Sequence, residues 1–203
     1  MTRPNRMLAA LAAGWLVFAA PDSSEAGRQC VDLIPGAAAR HGVPEALLDA
    51  IAHVESGWRG APWDWTLNVA GQAHYAASPQ EALRLMTDPQ GRLRDDVAVG
   101  CMQVFTRYHA DQFESAWDML DPRNNVDYAA RLLRRLYERY GSWTRAVERY
   151  HASDRASYAQ RRYACRVIHY QVALGYGELT ASAQRFCSGR YRRYLDLAMI
   201  PAD

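Results

Sequence analysis

A lone glutamate at the end of an apolar helical stripe is the first group in this chain with the makings of an acid catalyst. In Pro44–Trp58, read P-E-A-L-L-D-A-I-A-H-V-E-S-G-W, the residues Leu47, Leu48, Ile51, Ala52 and Val54 recur at helical spacing. Glu55 continues the row Leu48–Ala52–Glu55 at i, i+4 and i+7. A carboxyl group on that face loses water, and the partly negative carbonyls of a helix C-terminus disfavour its charge as well. Both effects keep the proton on near neutrality, as a general acid requires. The bland alternative is a helix-end glutamate whose head reaches water. Two later segments supply polar company: Gly100-Cys101-Met102-Gln103 and Tyr150-His151-Ala152-Ser153.

Other chemistries find less support. Asp64 and the Asp95-Asp96 pair could act as second carboxylates, but aspartates in loops are usually solvated. His53 and Glu55 form an H-x-E without the P-C-x-x-C that a zinc deaminase needs. Ser56 lacks the G-x-S-x-G elbow of a serine nucleophile. No C-x-x-C occurs, which argues against a zinc ribbon or a thioredoxin-like site. No metal and no cofactor are expected.

The elements that must carry these groups are mostly helices. Pro44 opens the Glu55 helix, with Glu45 suiting its positive start, and Gly57 is expected to close it in a left-handed cap. Gln29–Arg40 reads as a first short helix despite Pro35. Trp65–Tyr75 changes to β-formers around a turn at Gly71, and Asp96–Gly100 reads as a third short strand. Ser78-Pro79-Gln80-Glu81 is a capping box. Cys101–Tyr108 is expected to open a helix. Asp121-Pro122 starts a helix whose stripe, Val126 to Leu136, ends at Gly141. Ser142 caps the next, with Trp143, Ala146, Val147 and Tyr150 on one face, and Ala156–Tyr176 reads as the last long helix. The fold class expected is mostly α, with a small antiparallel sheet in the middle.

The chain has 203 residues and a formal net charge of +2, enough for one core and too little for two comfortable domains. A balanced charge argues against nucleic acid as the partner. Residues 1–26 read as an export signal: Arg3 and Arg6, an apolar run from Met7 to Ala20 too short to span a bilayer, then Ser24-Glu25-Ala26 as a cleavage site, with Val17-Phe18-Ala19 competing. Gly27-Arg28-Gln29-Cys30 lacks the small apolar residues before a lipid-modified cysteine, so no lipoprotein is expected. A periplasmic protein with no transmembrane helix follows. Four cysteines in an exported chain suggest two disulfides; of the three pairings, Cys30–Cys101 and Cys165–Cys187 are favoured because the second closes a short loop. Every basic side chain in the sequence is arginine, whose fork suits carboxylates.

Glu55-Ser56-Gly57, Gly100-Cys101-Met102-Gln103 and Ala146-Val147-Glu148-Arg149-Tyr150-His151-Ala152, in this order, resemble the soluble lytic transglycosylase family. That family carries E-S near a helix end, G-x-M-Q after a small sheet and A-Y-N-A-G late in the domain. The resemblance covers roughly Cys30 to Ser153. W-T-L-N-V-A-G and G-C-M-Q-V also look like relatives that serve flagella or secretion systems. It implies a lysozyme-like α+β fold and cleavage of peptidoglycan glycan strands, with Glu55 as acid and then base. By the same resemblance Ser56, Met102, Gln103 and Tyr150 would line the cleft, with His151, Asn68 and Tyr75 completing the substrate-binding set, Tyr150 bonding the carboxyl or the sugar's N-acetyl group and Gln103 holding an acetamide. Trp58, Trp63 and Trp65 could stack on sugar faces, though such clusters more often pack a core. The sequence departs from the pattern at Cys101, at Phe105, at His151 in place of asparagine and at Ser153 in place of glycine. The organisation expected is a signal peptide (1–26), a transglycosylase domain (27–153) and a C-terminal extension (154–203) that packs on the domain or docks an envelope machine. The chain is expected to act as a monomer. The alternatives are a hydrolytic muramidase on the same fold and a non-catalytic wall-binding or assembly factor.

Overall fold

A computed structural model describes residues 27–151 and 157–195. The expected export signal and Ala152-Ser153 of the late motif lie outside the described residues. The chain begins with α1 (Gln29–His41) and α2 (Glu45–Ser56), then a two-stranded ribbon of β1 (Gly57–Trp58) and β2 (Ala61–Pro62). β3 (Thr66–Val69) and β4 (Gln72–Tyr75) form the expected hairpin, turning at Ala70 and Gly71, both at positive φ. After α3 (Pro79–Met86), β5 (Val97–Val99) and β6 (Val104–Phe105) complete an antiparallel sheet in the order β4-β3-β5-β6. Then come the short α4 (Thr106–His109) and α5 (Ala116–Leu120), the long α6 (Pro122–Tyr140), α7 (Trp143–His151), α8 (Ser157–Ala173) and α9 (Ala181–Phe186). Among the described residues, no helix is long and apolar enough to cross a membrane. This is a lysozyme-like, mostly α arrangement with a small sheet, and its sequence accounts for most of its ends.

Ser78 caps α3 by accepting from the Glu81 amide, while Glu81 reaches back to the Ala77 N–H at 2.8 Å, one residue earlier than in the usual box. Asp121 caps α6 through the Arg123 amide, and Gly141 closes that helix in the left-handed conformation. α1 lacks a local cap. Asp64, from the loop before β3, accepts from the Gln29 and Cys30 amides at 2.9 Å each and so satisfies the start of a helix 34 residues away. Asp64 is wholly buried, which corrects the expectation of a solvated loop aspartate. The region 101–103 also differs from expectation. It turns sharply into β6, and the helix begins only at Thr106.

Packing places α2 in the middle of the molecule. Leu48, Ala50, Ile51 and Ala52 are fully buried, with α1 on one side and α8 on another. Trp63 and Trp65 are buried among these elements, and the Trp63 indole donates to the Ala76 carbonyl, so both serve the core. The disulfide Cys30–Cys101 ties α1 to the turn before β6, and Cys165–Cys187 ties α8 to the end of α9. Residues past α8 are further held by Tyr176, whose hydroxyl donates to Asp49 Oδ2 on α2 at 2.9 Å. Burial alone would raise the Asp49 carboxyl, but Tyr176 and the adjacent His53 outweigh it and hold it below its usual value.

Candidate active site

Glu55 sits one residue before the end of α2, with its side chain turned inward beside α7 and α8. Burial raises its carboxyl from the ordinary range to about 7. Two groups on α8 act against that shift: the Tyr163 hydroxyl, which faces the carboxyl, and the Arg166 guanidinium. No hydrogen bond of ordinary length and angle closes onto the Tyr163 hydroxyl, although it is fully buried. Among the described residues, then, the carboxyl is desolvated, near a buried hydroxyl and a cation, yet still partly open to water. Such a group can hold a proton near neutrality and release it without a large structural change. The dominant cause is loss of water.

Gly57 follows without the expected left-handed cap. At φ −55 and ψ 118 the chain runs straight into β1, and a Cβ there would meet the His53 carbonyl oxygen at 2.5 Å. Glycine is required for this close approach, which lets α2 end abruptly beneath Glu55. Ser56 is buried and donates to the Ala52 carbonyl at 3.0 Å, so it finishes the helix and offers no hydroxyl to a cleft.

The Gly100–Gln103 segment is a rigid bracket beside the site. Gly100 has φ +77, and a Cβ on it would lie 2.6 Å from Asn125. Asn125, fully buried on α6, accepts from the Met102 amide and donates to the Val99 and Met119 carbonyls. Gln103 adopts a positive φ of 48, and its amide donates to the Thr66 and Gly100 carbonyls at 3.1 and 2.9 Å. Its donor is therefore spent on the sheet and is not free for an acetamide. Met102 is fully buried and lines no open surface. Its carbonyl accepts a 2.7 Å hydrogen bond from Tyr150, so that hydroxyl braces the bracket and does not reach the carboxyl. Tyr150 still lies close enough to Glu55 for the carboxylate, after burial, to help raise the phenol well above its normal range.

His151, at the end of α7, stacks flat on Tyr163 with centroids 4.2 Å apart and 2° between planes. Burial of that face, with Arg162 and Arg166 nearby, pushes its imidazole downwards, so it is neutral at physiological pH. The hairpin residues contribute at a distance. Asn68 is half-buried in the middle of β3, opposite Ala73 and Ala98. Tyr75 is 40% exposed and stacks on Trp58 at 5.5 Å, while Arg59 covers the same indole at 4.3 Å. This gives an aromatic platform just past the end of α2.

The structure thus gathers Glu55, Tyr150, His151 and Tyr163 and turns Ser56 and Met102 into scaffold. Asp95 and Asp96 pair with Arg107 and Arg94 at the surface, and Asp64 is occupied under α1. The sequence reading missed Tyr163, Arg166 and Asn125. The first two lie on α8, a helix it assigned to the extension, yet they follow the apolar stripe Tyr163–Val167–Tyr170 that packs against α2.

No curated protein and no solved structure matches this chain. The family model described as the transglycosylase SLT domain matches residues 32–167, from α1 through the part of α8 that carries Tyr163 and Arg166, so the chain belongs to the transglycosylase SLT domain family and acts on peptidoglycan.

Proposed function

We propose that this protein is a lytic transglycosylase that cleaves the β-1,4 bond between N-acetylmuramic acid and N-acetylglucosamine with Glu55 as its only carboxyl catalyst. The observation that carries the reading is the burial-raised Glu55 carboxyl, at about 7, beside the buried Tyr163 hydroxyl. Protonated Glu55 gives its proton to the glycosidic oxygen as the bond to C1 breaks. The substrate's own acetamide stabilises the positive charge that develops at C1. The resulting glutamate takes the proton of the sugar's 6-hydroxyl, whose oxygen then bonds to C1 and closes a 1,6-anhydro ring. No water is consumed, and the acid is regenerated.

Tyr163 and Arg166 favour the ionised state that exists between the two proton transfers, while burial favours the starting acid. Burial dominates, and the two α8 groups limit the rise to about 7, where the carboxyl can serve both steps. Asp64, Asp95 and Asp96 are each engaged elsewhere, which favours one-carboxylate chemistry over a two-carboxylate hydrolysis. The two disulfides fit an enzyme that works outside the cytoplasm on the wall.

The test is digestion of purified peptidoglycan followed by analysis of the released muropeptides, with Glu55→Gln beside the wild type. Anhydro ends from the wild type and their loss in the variant are expected. Reducing ends would reassign the protein as a hydrolase, and an undiminished variant would remove Glu55 from the mechanism.

A further inference from the structure

A second cleft of about 940 Å³ opens between α7, α8 and α9, and its lining includes none of Glu55, Tyr150 and Tyr163. That volume is within the range of small-ligand sites. Its walls carry three guanidinium groups, Arg145, Arg161 and Arg190, and two carboxylates, Glu148 and Glu178. Among the described residues none of these five closes an ion pair within 4.0 Å.

Two of the arginines are nevertheless held in place, while Arg145 is exposed. Arg161 donates through both Nε and Nη2 to the Phe186 carbonyl and lies over the Phe186 and Tyr191 rings. Arg190 lies between the Tyr158 and Tyr191 rings. Stacking of this kind orients a guanidinium, and among the described residues Nη1 of Arg161 and the Nε and Nη1 of Arg190 make no hydrogen bond and can take a carboxylate. Burial raises the Glu148 carboxyl against the pull of Arg145 and Arg161, so this group lies near cations without a contact that neutralises it. The disulfide Cys165–Cys187 holds the α9 wall against α8. Residues 157–195 carry seven arginines and a single acidic residue, Glu178, so the excess of positive charge belongs to this region.

Cations in excess, two of them oriented by rings, with two carboxylates set among them, match a small ligand that bears several carboxylates and one free amine. A purely anionic ligand would be opposed by Glu148 and Glu178, and a neutral sugar would leave the cations unused. We propose that this cleft binds the peptide stems of peptidoglycan, the arginines taking stem carboxylates and Glu178 the amine of the diamino acid. The proposal rests on the lytic reading in its choice of polymer. It makes the enzyme a reader of stem-bearing strands, with α7 and α8 shared between the stem cleft and the acid.

The probe is the free tripeptide L-alanyl-γ-D-glutamyl-meso-diaminopimelate, titrated calorimetrically into the wild-type protein. Saturable binding that weakens about tenfold or more in Arg145→Gln/Arg190→Gln is expected, as for loss of charge-assisted hydrogen bonds. Acetylating the side-chain amine of the probe should weaken binding to the wild type and make no difference to Glu178→Gln. In turnover, the double variant should raise KM on stem-bearing strands and leave amidase-stripped strands untouched in both kcat and KM, which also shows that it is folded. Absence of saturable binding, or binding indifferent to the double variant, overturns the proposal. So does an oligoglutamate peptide that binds more tightly than the stem at this cleft, because an acidic protein partner is then the better occupant. The tripeptide contains no glycosidic bond, so failure here leaves the role of Glu55 untouched, and failure of the Glu55 test leaves this binding result standing.

Discussion

Replacing Glu55 by glutamine should stabilise the folded protein in alkaline buffer and leave its stability nearly unchanged in acid. The carboxyl is raised from 4.5 to about 7 in the folded state. At about 1.36 kcal/mol per pH unit, a shift of that size sets an upper limit of roughly 3 kcal/mol. The side chain keeps some access to water, which reduces the expected effect to ~1–2 kcal/mol. The sign follows from linkage. Below pH 4.5 the group is protonated whether the chain is folded or not, and its burial costs no charge. As pH rises from 4.5 to 7 the unfolded chain ionises first, so stability falls, and above pH 7 the full penalty persists. Glutamine has no such charge to bury. Thermal unfolding of both proteins at pH 4 and pH 9, without reductant, reads the difference, which should appear at pH 9 as a rise of about 2–4 °C in Tm per kcal/mol for a chain of this size. Other titrating groups cancel in the comparison. A variant that is stabilised equally at both pH values, or destabilised at pH 9, would refute a desolvated acid at this position.

Activity should carry the same signature. Rates that need protonated Glu55 should fall about tenfold per pH unit above pH 7, and Arg166→Gln should move that limb to higher pH by removing a cation that favours the ionised form. Asp64→Ala should cost ~2–4 kcal/mol in chemical denaturation, because it strips the Gln29 and Cys30 amides of their shared acceptor at a buried helix start. Replacing Cys165 and Cys187 together by serine should cost about 3 kcal/mol for a loop of 22 residues. The damage should be local, seen as faster amide exchange in α9 with α2 still protected.

The secondary structure was legible where the signals are local. The capping box at Ser78, the turn around Gly71, the Asp121-Pro122 start and the Gly141 stop all depend on residues within one turn of each other, and each falls where the sequence puts it. Both favoured cysteine pairs also formed. The reading failed where a residue's partner is remote. Asp64 looks like any loop aspartate until α1 is folded over it, and Gln103 looks like a free amide until Thr66 and Gly100 take its donor. Cys101–Gln103 reads as a helix start only if Asn125, on another helix, is ignored.

By itself the sequence determined which residue could be the acid, since the apolar period of α2 and the position of Glu55 on it are properties of a contiguous stretch. Only the tertiary structure decided what surrounds that acid. Tyr163 and Arg166 arrive from more than a hundred residues away on a helix whose local pattern says nothing of its neighbour. The hydroxyl of Tyr150 goes to the Met102 carbonyl because the folded bracket presents that carbonyl first. Burial is a sum over every element packed against a side chain, so the proton affinity of Glu55 is set by the whole fold and cannot be read from α2 alone.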